Sequence, residues 1–158
     1  MKKMLRKNLI IINNEKITKD ENKFYCDNVD IKTIPEELND RFNVTLIARG
    51  SNIKKPHQVS SEKIYTSYNI FTFFINIIKT FKKNEARYLI ISITPYTFVA
   101  YLLLFFFRKK VFVYLRSNGY EEYKAIFGFI GPIIYYFMFK IVTFKSIIIS
   151  CQERLFKK

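Results

Sequence analysis

The sequence predicts an α/β fold in which a parallel sheet is flanked by helices, and three observations predict it. Short, largely apolar runs recur along the chain as LIII, VTLIA, YLIIS, VFVYL and SIIIS, the pattern of strands buried on both faces. Segments with helical spacing lie between several of them, so strand and helix alternate. Polar residues follow almost every run, where a parallel sheet would present its carboxyl edge.

Taken in order, residues 9–12, closed by Asn13 and Asn14, read as the first central strand. Residues 15–28 are polar and aperiodic and read as an exposed loop. Thr33 and Glu36 have the spacing of a capping box, and Pro35 suits a first turn, so 33–42 reads as a short helix. A second strand over 43–50 is closed by Gly50, residues 51–62 read as a loop, and 63–67 as a weaker β-branched strand. From Asn69 onward, Ile70, Phe73, Phe74, Ile77, Ile78 and Phe81 recur at steps of three and four, one stripe of an amphipathic helix. Its other face carries Asn76, Lys79, Lys82 and Lys83.

The block 88–107 holds no charged residue, but Pro95 disfavours helix before it and suits a first turn, which predicts a strand over 87–93 and a helix over 96–107. Residues 111–116 form another strand. An apolar helix over 125–143 follows, with a kink expected at Gly131-Pro132. The final stretch KSIIISCQERLF reads as a strand entering a helix, with Ser150 as N-cap and Glu153 completing a capping box.

A chain of 158 residues has the length of one domain and can bury a core without disulfides. Its 27 Lys and Arg against 13 Asp and Glu give a formal charge of +14, which favours a phosphate-bearing lipid, nucleotide or nucleic acid as partner. The same richness in Lys, Asn, Ile, Phe and Tyr is what AT-rich codons supply without any ligand. Cys26 and Cys151 lack partner spacing, so neither a zinc site nor a disulfide is expected, and a reducing cytoplasm is the default. The basic start precedes an apolar run too short for a secretory signal. Because about 20 apolar residues can cross a bilayer, the alternative is a small integral membrane protein with spans near 88–107 and 125–144. RKKVFVYLR would then be its basic cytoplasmic loop. Basic residues are scattered without a binding motif, so nucleic acid is disfavoured as a partner.

No G-x-G-x-x-G or Walker A sequence is present, which disfavours dinucleotide and P-loop enzymes. His57, beside Pro56, reads as a solvated loop residue, and Cys151 as a small buried one. Arg116 at the end of a strand can hold phosphate or carboxylate with two parallel hydrogen bonds, or pair with Glu121 or Glu122. Asn118-Gly119 beside it permits a tight turn. The aromatic content is 18%, and the stretch IIYYFMFKIVTF mixes Tyr and Lys into apolar residues. Such a blend suits a bilayer interface, so a face that meets lipid or a missing partner domain is expected.

In order, NLIIINNE, NVTLIARG, ARYLIISITPY and VFVYLRSNGYEEY, with the long helix leading into KSIIISCQERL, resemble the N-terminal half of a GT-B glycosyltransferase of the family-4 group. The resemblance implies a Rossmann-like parallel sheet, one acceptor-side domain over residues 1–158, and a donor domain missing from the chain. It implies transfer of a sugar from a nucleotide-sugar to a glycan or lipid-linked acceptor, no cofactor besides that donor and no metal, and a chain inactive alone. Asn14, Thr94, Arg116, Ser117 and Ser150 would border the cleft as acceptor or diphosphate contacts. The expected partners are the acceptor, a separate donor-domain chain, and the anionic cytoplasmic face of the membrane. Each Lys or Arg close to that surface adds roughly 1 kcal/mol.

Overall fold

The apolar run at 9–12 lies near the start of a longer strand in the computed structural model, which describes residues 6–150. The chain is α/β, with eight strands in mixed parallel and antiparallel pairing and helices flanking them. It divides into two compact units, one ending at Tyr88 and the other beginning at Leu89.

In the first unit, β1 (Lys7–Asp20) pairs in parallel with β3 (Phe42–Ser51), placing Leu9 opposite Val44 and Ile12 opposite Ile47. β3 in turn pairs in parallel with β5 (Lys63–Ser67). Ile10, Ile11, Ile12, Leu46 and Ile47 are fully buried, as strands covered on both faces require. The register breaks after Ile12: β1 advances to Lys16 while β3 advances only from Ile47 to Arg49, a bulge that spends extra residues on β1.

Beyond the bulge the expected loop over 15–28 is a hairpin. β1 runs on to Asp20, turns at Glu21 with φ of 49°, and returns antiparallel as β2 (Lys23–Cys26). The expected loop over 51–62 likewise contains β4 (His57–Val59), antiparallel to β2, with His57 half-buried opposite Cys26. These antiparallel members make the sheet mixed rather than wholly parallel. Their charges hide the pattern, since Lys16, Lys19 and Asp20 face water while Ile17 and Thr18 between them are buried. The hydroxyl of Thr18 donates to the Ile53 carbonyl, tying the hairpin to the β3–β4 connection.

Helix α1 (Val29–Leu38) starts earlier than its sequence signal. Asn28 is the N-cap, its Oδ1 accepting from the Asp30 N–H at 2.9 Å. The expected Thr33–Glu36 capping box is therefore inside the helix and does not form: the Thr33 hydroxyl donates to the Val29 carbonyl, and Glu36 accepts from the Ser60 N–H. Helix α2 (Ile70–Lys79) starts as expected, with Asn69 accepting from the Thr72 N–H at 2.8 Å. Phe73 and Ile77 of the stripe are buried, whereas Ile78 is 46% exposed.

β6 (Arg87–Ile91) carries the division between the units. The second unit continues with α3 (Pro95–Phe106), β7 (Val111–Leu115), α4 (Gly119–Phe127), α5 (Gly131–Thr143) and β8 (Ile147–Ser150). Residues 88–107 are thus strand, turn and helix, and the first of the two alternative membrane spans is not a helix. β7 and β8 pair in parallel, Leu115 opposite Ser150.

The long apolar helix begins at Gly119 rather than residue 125 and breaks at Gly128, not at Gly131-Pro132. Gly128 has φ 63° and ψ −141°, a conformation that side chains disfavour, and a 3-10 turn over Gly128–Ile130 leads into α5. Pro132 then sits in a first turn, where its missing N–H is no loss. The two arms meet closely: a Cβ on Gly119 would lie 2.1 Å from the Tyr135 ring, and one on Gly131 would lie 1.9 Å from the Tyr123 carbonyl oxygen. Tyr123, Tyr135, Met138 and Val142 are buried, and Tyr120 meets Tyr135 edge-on at 4.8 Å. The expected helix after Ser150, its capping box with Glu153, Cys151 and the C-terminal lysines lie outside the described residues.

Candidate functional site

Four of the five site residues expected from the sequence, Thr94, Arg116, Ser117 and Ser150, gather at the carboxyl ends of β6, β7 and β8 in the second unit. After Ile91 the chain bends at Ser92, whose φ is 61°. A left-handed backbone costs a residue with a side chain roughly 1–2 kcal/mol. Two hydrogen bonds hold it there. The Ser92 N–H donates to the Tyr114 carbonyl on β7 at 2.9 Å, and its own carbonyl accepts from the Thr97 hydroxyl at 2.8 Å. The Ser92 hydroxyl is buried and meets no hydrogen-bond partner among the described residues. Backbone strain around a buried polar group at a strand end marks a site.

Thr94 is placed as expected, but its hydroxyl is already used. It accepts from the Thr97 N–H at 3.3 Å while the Thr97 Oγ1 accepts from the Thr94 N–H at 2.8 Å, a reciprocal cap on α3. Thr94 therefore aims the helix terminus at the site. Arg116 follows β7 directly and is half-buried, with Ser117 next to it. Asn118 caps α4, its Oδ1 accepting from the Tyr120 N–H at 3.2 Å. Ser150 ends β8 at the level of Leu115, so Ser92, Thr94, Arg116, Ser117 and Ser150 share one edge.

Two helix N-termini open onto this edge and differ in charge. α4 has Glu121 and Glu122 in its first turn, which satisfy its positive end, whereas α3 has no acidic residue there. The N-terminus of α3 and the Arg116 guanidinium together make the edge attractive to an anion.

Asn14 belongs to the first unit, where it sits in the β1 bulge. Its Oδ1 is buried without a hydrogen-bond partner among the described residues, as is Nδ2 of Asn13, whose Oδ1 accepts from the Glu15 N–H at 2.7 Å. Neither Ser92 nor Thr97 is among the cleft residues expected from the sequence. The signal for both is Thr94-Pro95-x-Thr97, a hydroxyl pair at capping spacing around a proline.

Burial pushes the Cys26 thiol up to about 11 and the Tyr123 phenol up to about 12, and Tyr135 is also raised by burial. Among the described residues no three His, Cys, Asp or Glu side chains converge as a metal set. The arrangement offers an anion the N-terminus of α3 and the Arg116 guanidinium. Comparison of the chain with family models, curated proteins and solved structures gives no match.

Proposed function

We propose that the chain is the acceptor-binding side of a glycosyltransferase. In this reading it is a Rossmann-like layer of the GT-B kind that receives a glycan or lipid-linked acceptor at the cytoplasmic face of the membrane. A separate donor-binding domain supplies the nucleotide-sugar and completes the cleft. The observation that carries the reading is the edge formed by strained Ser92, the uncompensated N-terminus of α3 and Arg116, which suits the phosphate of a lipid-linked acceptor.

Titration calorimetry with a polyprenyl-diphosphate-linked sugar in detergent tests it. The chain alone binds this acceptor and shows no sugar transfer. Losing a hydrogen bond to a charged group removes about 1.5–3 kcal/mol, so Arg116→Ala should weaken binding by at least about tenfold. Unchanged acceptor affinity in Arg116→Ala, or tight binding of the nucleotide-sugar by the chain alone, overturns the assignment. A second reading, an integral membrane protein, rests on Gly119–Thr143, whose length and composition suffice to cross a bilayer once the break at Gly128 is straightened. Retention in the membrane after carbonate extraction would favour it.

A further inference from the structure

The second unit has a cationic cavity at the opposite ends of its strands. It occupies about 570 Å³ where α3 ends and β7 begins, and Arg108, Lys109 and Lys145 line it beside Tyr101, Phe105 and Phe106. No Asp or Glu contributes to the lining. The same three aromatic residues form a wall of an adjoining groove of about 320 Å³, closed on its other side by Ile141 and Phe144 of the α5 end, with Lys140 at its margin. The Lys145 ammonium lies 5.2 Å from the Phe105 ring centre and 5.9 Å from that of Phe144, so it joins the two compartments. Both volumes fall within the ordinary range of about 300–1,000 Å³ for ligand sites.

Arg108 is there against backbone preference. It occupies the position after the C-cap of α3 with φ of 51°, its N–H bonded to the Phe105 carbonyl and the Lys109 N–H to the Leu104 carbonyl. This is the Schellman arrangement, whose left-handed residue is usually glycine. A guanidinium is held where glycine would be less strained, and it lines the cavity.

We infer that this pair of compartments binds an anionic phospholipid, with the phosphate headgroup at Arg108, Lys109 and Lys145 and an acyl chain in the apolar groove between α3 and α5. The charge is complementary and the groove is continuous with exposed Phe106 and Phe144, each 76% accessible, which extends the apolar face toward a bilayer. The five residues of β7 separate this end from Arg116, roughly 16 Å at 3.3 Å per residue. The lipid site is therefore distinct from the carboxyl edge and stands whether or not that edge binds an acceptor.

Flotation of the 158-residue chain with vesicles tests the inference. Binding is expected on phosphatidylcholine vesicles that contain phosphatidylglycerol and not on phosphatidylcholine alone. Each cation near such a surface is worth a factor of about five, so Arg108→Gly and Lys145→Gln should each lower partition by that amount. Arg108→Gly should melt no lower than wild type, because glycine suits the backbone there, and Lys145→Gln repeats the test independently of that position. Ile141→Asn, at an exposed groove residue and unchanged charge, should also lower partition. Equal binding to neutral and anionic vesicles overturns the inference. So does full binding by Ile141→Asn, displacement by millimolar inorganic phosphate, or capture by heparin without any binding to vesicles.

Discussion

The two units cover their cores differently. Of the large hydrophobic residues left exposed among the described residues, Val29, Ile53, Tyr68, Phe71, Ile75 and Ile78 belong to the first unit. The second unit, though shorter, holds the other fifteen, including Phe106, Phe129, Phe137 and Phe144. The first unit spends its apolar residues inside long paired strands and turns charged hairpin residues outward. The second wraps short strands with helices, and α3 and α5 among them leave many apolar side chains exposed.

Substitutions can break or sharpen that contrast. The largest expected effect is in the closed core of the first unit, where Ile47→Ala should lower stability by about 2–5 kcal/mol in urea unfolding through the cavity it leaves. Alkaline titration distinguishes the units next. Cys26 in the first unit is raised from 9.0 to about 11, and Tyr123 in the second from 10.0 to about 12. In each case the folded state keeps a proton that the unfolded chain has lost. The stabilisation is full below the unfolded value and disappears as pH rises through the folded one. Stability should fall between pH 9 and 11 for Cys26 and between pH 10 and 12 for Tyr123. Each loss is on the order of 2–3 kcal/mol, and Cys26→Ala and Tyr123→Phe should each remove one of the two phases.

Gly131→Ala should cost about 1–3 kcal/mol by forcing α4 and α5 apart, read as a lower melting temperature of the second unit. The smallest change is expected at Phe129, which is 82% exposed. Phe129→Ser should move stability by less than about 0.5 kcal/mol while reducing aggregation in light scattering. A large loss of stability there would show that the apolar surface is core after all.

Much of this was legible in the sequence where one physical signal acted alone. Pro95 behind a charge-free strand fixed the turn into α3, and Asn69 fixed the start of α2, because each residue type has a strong local preference. The hairpin after Asn14 was hidden because pairing of backbone groups, rather than side-chain periodicity, makes its strands, and the bulge shifts the alternation. At α1 the cap is Asn28 and not the expected Thr33, and the earlier start places Ile31 in the helix, where it is buried. At the site, Thr94, Arg116, Ser117 and Ser150 each follow a strand and share one edge, whereas Asn14, also after a strand run, lies in the other unit. Position after a strand could not reveal that Thr94 serves the helix cap, nor that Ser92 is strained, since both depend on backbone angles set by tertiary packing.

The break at Gly128 sets the length of continuous helix on either side of it. At about 1.5 Å per residue, the nine residues of α4 and the thirteen of α5 measure roughly 14 Å and 20 Å, and neither alone matches a hydrocarbon layer about 30 Å thick. A straight rod over the same sequence would traverse both leaflets. Interrupted at one glycine, it is two short arms instead.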